Sequence, residues 1–152
     1  MAADVYELDF YEWTKAQAEA LRAEARRAGR SNAIEWERVA EEIEDMGKSD
    51  LRECYARVRT ILEHLFKLAW SERQEPRRSW EATILVHRSD LEPVLTASLR
   101  AQVEQELDDL HRRAAKLAER TFLDHEPSER VDASLRWSLP QILGEADDPI
   151  EG

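Results

Sequence analysis

Between Ser49 and Trp70 apolar residues return at Leu51, Tyr55, Val58, Ile61, Leu62, Leu65 and Ala69. Steps of three and four place all seven on one stripe of an α-helix, whereas a strand would need them at alternate positions. Neither glycine nor proline interrupts the run, so nothing in it breaks a helix. A stripe of this length must be covered, and this spacing is that of an interhelical seam. The whole chain has only 4 Gly and 5 Pro in 152 residues, which leaves room for several long helices around it. That length suits one ordinary domain able to bury its core without disulfides or metals.

The same period recurs on either side. From Asp9 to about Ala28 the apolar positions are Phe10, Trp13, Ala16, Ala20, Leu21 and Ala25, with Gly29 as the C-terminal stop. Ser31 or Asn32 opens a second helix, Asn32 and Glu35 resemble a capping box, and Gly47 closes it. Ser49 then caps the central helix. "SERQEPRRS" reads as a loop broken by Pro76, after which Ser79 caps a fourth helix starting at Trp80 with Ile84 and Leu85 inward. Pro93 kinks or ends that helix. A fifth runs from about Ser98 to Phe122, striped by Leu99, Val103, Leu107, Leu110, Ala114 and Leu117. No stretch reads as a strand. The expected architecture is all-α: an up-down bundle of about five helices over residues 1–126. A partly irregular tail, 127–152, follows, in which "SLPQILG" docks as one short helix before the chain frays.

Charge narrows the function. The formal net charge is −11, which repels phosphate backbones and anionic membranes. "RRAGR" (Arg26, Arg27, Arg30) and "ERQEPRR" (Arg73, Arg77, Arg78) are local exceptions that suit solvated loops and helix ends. One cysteine, Cys54, excludes an intramolecular disulfide and a multi-thiolate metal site. No apolar run approaches the ~18 residues of a membrane span. The start "MAADVYELDFYEW" lacks the features of a signal peptide, so a cytoplasmic location is expected.

Chemistry is sought first in "WERVAEEIEDMG", which packs Glu37, Glu41, Glu42, Glu44 and Asp45 into twelve positions. On a helical wheel Trp36, Val39, Ala40, Ile43 and Met46 form the face expected to be buried. Glu41 and Asp45 point away, Glu42 and Glu35 share one flank, and Glu37 and Glu44 share the other. The carboxylates therefore do not converge. A bridged di-metal site needs Glu-x-x-His motifs, and the nearest approach is Asp108-x-x-His111. His64, His87 and His111 could hold a single zinc or iron ion, though their spacing carries no ligand signature. Cys54 suits a buried thiol better than a nucleophile. No phosphate loop, nucleophile elbow or dinucleotide fingerprint occurs. Trp13, Trp36 and Trp70 fit core or core-edge positions, while Trp80 and Trp137 follow loops. His64 and Lys67 lie opposite the central stripe; once that side is covered an acidic neighbour must meet them, and the second helix could supply Glu42 or Glu44.

The ordered segments "DFYEWTKAQAEALR", "WERVAEEIEDMGKSDLR", "ILEHLFKLAW" and "RRSWEATI" resemble the bacterial family catalogued as domain of unknown function twenty-nine. The likeness covers about residues 6–123. It places that family's acidic motif on Glu41, Glu42 and Glu44, its histidine and lysine on His64 and Lys67, and its tryptophan on Trp80. Val39 stands where the family usually has leucine, and "TASLR" stands where Pro-Ser-Leu-Arg is common. The resemblance implies an all-helical bundle and brings with it neither an activity nor a cofactor.

These features favour a noncatalytic helical domain that acts through a protein partner or as a homodimer, without cofactor, nucleic acid or membrane. The alternative is a small metal-binding protein or enzyme built from Glu42, Glu44, His64 and Lys67. The candidate functional cluster is Glu41, Glu42, Glu44, His64, Lys67 and Trp80.

Overall fold

A computed structural model of the chain describes residues 4–125 and 132–150. The elements in order are α1 (Val5–Leu8), α2 (Phe10–Ala25), α3 (Trp36–Trp70), α4 (Glu75–Leu91), α5 (Ala97–Gln105), α6 (Leu107–His125) and α7 (Leu139–Leu143). No strand occurs among the described residues, and the fold is an all-α helical bundle. Two compact units divide the chain, residues 1–53 with 95–102 and residues 54–94 with 103–152. The expected boundary at 126–127 lies outside the described residues.

The largest departure from the sequence reading is α3. The two helices expected over Asn32–Gly47 and Ser49–Trp70 are one helix of 35 residues. It starts later than expected, at Trp36; Val39 N–H bonds the Glu35 carbonyl, and the Ser31 hydroxyl accepts from Ala33 N–H in the preceding turn. Gly47 is not a terminator. It is buried inside the helix, where a Cβ would overlap Thr14 Oγ1 and lie 3.2 Å from the Tyr11 ring. Gly47 is the point of close approach between two helices of the first unit.

Small residues dominate that unit. Thr14 and Ala18 of α2 and Ala40 of α3 are fully buried. Asp9 caps α2 by accepting from Glu12 N–H, and it also accepts from the Ser98 N–H and hydroxyl at 2.9 and 2.6 Å, tying α2 to the start of α5. Burial opposes ionisation of Asp9, yet hydrogen bonds from Ser98, Glu12 N–H and Thr96 together outweigh it and hold the carboxyl below its ordinary range. Tyr6, Phe10 and Trp13 pack ring on ring with centroids 4.9 to 5.6 Å apart.

Apart from Leu99 of the first unit, the largest fully buried side chains are in the second unit. Val58, Ile61, Leu62, Leu65 and Phe66 of α3 are buried, so its apolar face is wider than the expected stripe, and Ala69 is exposed. Cys54 is buried as expected. α4 starts at Glu75 rather than Trp80, because proline is tolerated in a first turn, where its missing N–H costs nothing. Arg77 reaches back to the carbonyls of Leu68 and Ser71 at 2.9 and 3.1 Å, satisfying groups left open at the end of α3. Ile84 is buried, but Leu85 faces out at 55% exposure. The expected fifth helix is divided at Glu106, whose N–H bonds the Val103 carbonyl three residues back.

The segment after residue 131 is more ordered than the sequence suggests. α7 is capped by Ser138 and Gln141 in a reciprocal capping box and closed by Gly144 at φ +74°. Leu139 and Ile142 are buried. The chain does not fray there: Arg88 donates to the Ile142 and Gln141 carbonyls and to both Asp148 oxygens, the latter at 3.0 and 2.9 Å. Burial works against the charge on Asp148, and the Arg88 guanidinium together with the Ile150 N–H more than offsets it, holding the carboxyl below its usual range.

Candidate functional site

Five of the six candidate residues stand on α3: Glu41, Glu42 and Glu44 near its start, His64 and Lys67 near its end. They succeed one another along one helix instead of facing each other from two. The structure consequently gives each a different neighbourhood. Lys67, 8% exposed, pairs with Glu63 at 3.3 Å, a carboxylate one turn back on its own helix. His64 donates from Nδ1 to the Thr60 carbonyl at 2.8 Å, and burial chiefly holds its pKa below the ordinary value. Trp80 lies edge-on to Phe122 at 6.3 Å, within a run of rings that continues to Trp70 and Phe66. These contacts make Lys67 and Trp80 part of the packing of the second unit.

The three motif carboxylates also separate. Glu44 accepts from Arg22 at 2.8 Å and pairs with Lys48 at 3.2 Å, and these bonds lower its pKa. It holds α2 to α3. Glu41 and Glu42 are exposed and border two neighbouring hollows at the start of α3. Glu41 lines one of about 620 Å³ together with Arg26, Arg30, Trp36 and Glu37. Glu42 lines the other, of about 480 Å³, with Ile34, Val39, Ile43 and Met46. Ile34, Glu35 and Arg38 border both, so the segment leading into α3 is the ridge between them. Trp36 stiffens that ridge by donating from Nε1 to the Ser31 carbonyl at 3.0 Å.

The second hollow corrects the helical wheel. Val39 and Met46, expected on the buried face, are 39% and 52% exposed. α2 comes close to α3 at Gly47, because only a residue without a side chain admits Thr14 and Tyr11 there, while Val39 and Met46 are left uncovered. Ile34 is likewise 43% exposed.

The three histidines considered as metal ligands have different duties. His111 is 1% exposed and uses both nitrogens: Nδ1–H donates to the Leu107 carbonyl at 2.8 Å and Nε2 accepts from Trp137 N–H at 3.0 Å. His87 accepts from Arg57 at 3.1 Å. Among the described residues no three His, Cys, Asp or Glu side chains are grouped to share a metal ion. The half-buried Arg88–Asp148 pair and the His111–Trp137 bond escape sequence reasoning because their partners lie 60 and 26 positions apart without a motif.

The four ordered segments fall on α2, both ends of α3 and α4, as one continuous fold would need. The family model described as "Domain of unknown function DUF29" matches residues 5–146. The chain belongs to that family. This DUF29 chain is also similar to an α-helical protein of unknown function from Rhodospirillum rubrum, known from a crystal structure. The two share 26% identity, the match covers 97% of this chain and 94% of that one, and the TM-score is 0.83. No curated protein matches the chain. No helix among the described residues is long and apolar enough to cross a membrane.

Proposed function

We propose that this DUF29 chain is a noncatalytic, cytoplasmic helical domain that acts through a protein partner, and that the partner docks in the apolar hollow beside Glu42. The observation that carries this reading is the joint exposure of Val39 and Met46 on α3 and of Ile34 just before it, around one hollow. Apolar groups grouped around a hollow lose contact with water when a partner fills it, which drives association. Charge selects the occupant. Among the described residues no cation pairs with Glu42, while Arg38 on the same rim is held by Glu35 at 3.7 Å. A second copy of the chain would bring together two bodies of net charge −11, whereas a basic amphipathic helix offers apolar anchors and a cation for Glu42.

The test uses two labelled synthetic helices with identical leucine stripes, one with lysines on the polar face and one with glutamates. Fluorescence anisotropy should show saturable binding of the basic helix alone, weakened about tenfold or more by Val39→Asp with Met46→Asp. Equal binding of both helices, or binding indifferent to the substitutions, overturns the reading. Light scattering that shows a dimer dissociated by the same substitutions would assign the hollow to self-association instead.

A further inference from the structure

Another cleft, within the unit of residues 54–94 and 103–152, is lined by cations. Arg59 of α3 and Arg113, Lys116 and Arg120 of α6 surround a hollow of about 510 Å³, with Leu117 and Glu119 completing its wall. Positions 113, 116, 117 and 120 are spaced to share one helix face, so the chain itself aligns these cations. Arg113 is paired with Asp109 at 2.7 Å. Among the described residues no carboxylate pairs with Arg59, Lys116 or Arg120. Arg22, Arg57, Arg88 and Arg112 elsewhere in the chain do find acidic partners. Three free cations around one cleft repel each other, and an anion placed among them relieves that repulsion.

We propose that this cleft binds a phosphorylated small molecule. Guanidinium groups present paired donors matched to phosphate oxygens, and Lys116 adds a third positive charge. Leu117, 39% exposed, provides an apolar surface for the organic part of the ligand. A volume of 510 Å³ suits a single small ligand, since such pockets run from about 300 to about 1,000 Å³. A nucleic-acid strand is disfavoured because a polyanion extending beyond the cleft would meet a chain of net charge −11.

Magnesium-free ATP, inorganic pyrophosphate and adenosine would be titrated into the full chain by calorimetry. ATP should bind one to one, pyrophosphate more weakly, and adenosine not measurably. Arg59→Gln and Arg120→Gln should each weaken ATP binding about tenfold, the scale of one charge-assisted hydrogen bond. Arg52→Gln, which removes an exposed cation outside the cleft, should leave it unchanged, and circular dichroism would confirm that all three variants fold. Absence of saturable binding by both ATP and pyrophosphate overturns the proposal, as does an Arg52→Gln effect equal to that of Arg59→Gln. So does tighter, Arg59-dependent binding to single-stranded DNA or to vesicles carrying phosphatidylglycerol, which would assign the cleft to a polymer or a membrane surface.

Discussion

Replacing Gly47 with alanine sets two effects of known size against each other. In an open helix interior the change stabilises by about 1 kcal/mol, because alanine loses less backbone freedom on folding than glycine. At this position the new methyl overlaps Thr14 Oγ1 and stands 3.2 Å from both Thr14 Cβ and the Tyr11 ring. Thr14 cannot easily turn aside, since it is fully buried and its hydroxyl donates to the Tyr11 carbonyl at 2.7 Å. Forcing a methyl into such a contact costs about 1 to 3 kcal/mol. The expected net effect is a loss of about 1 kcal/mol, or about 2–4 °C in melting temperature for a chain of this size. The decisive arm is Thr14→Ala, which removes the colliding oxygen. In that background Gly47→Ala should become neutral or stabilising, a coupling of about 1 to 2 kcal/mol between the two positions. Urea denaturation followed by far-ultraviolet circular dichroism on all four proteins measures it. If Gly47→Ala stabilised by about 1 kcal/mol in both backgrounds, the close approach of α2 to α3 would be wrong.

Three further outcomes are expected. Arg88→Met should cost about 1 to 3 kcal/mol in equilibrium unfolding, since it strands a part-buried carboxylate and two backbone carbonyls. Because Asp148 has a depressed pKa in the folded state, the stabilisation from this pair is complete above the unfolded value of about 3.9. It is lost as pH falls through the folded value, and Asp148→Asn should remove that component of the acid transition. The buried His111 and half-buried His64 work at higher pH: both have lowered pKa values, burial being the leading cause. The folded state therefore resists their protonation, and stability should decline as pH falls below about 6.5, less steeply in His64→Gln. Finally, the first unit buries mainly small side chains while Ile61, Leu62, Leu65 and Phe66 lie in the second, so hydrogen exchange should be faster in α2 than over residues 61–66 of α3.

The sequence by itself determined the all-α class, the helical course of residues 49–70, the burial of Cys54 and Ile84, and the short helix of "SLPQILG". These follow from local patterning, chiefly the 3.6-residue period of the apolar residues, whereas the Ser138–Gln141 capping box of α7 is seen in the fold. Where only tertiary contact could decide, the local rules misled. Gly47 has the chemistry of a helix stop, yet it sits mid-helix because Thr14 requires the space. Pro76 looks like a break and instead serves a first turn. Val39 and Met46 belong to the apolar side of a wheel, but α2 settled against Gly47, and their exposure supplies the proposed docking hollow. The same choice divided the acidic motif, sending Glu44 to Arg22 and leaving Glu41 and Glu42 at the surface. A helix wheel records which residues share a face; which face is covered depends on how closely another backbone can approach, and that is a property of the folded chain.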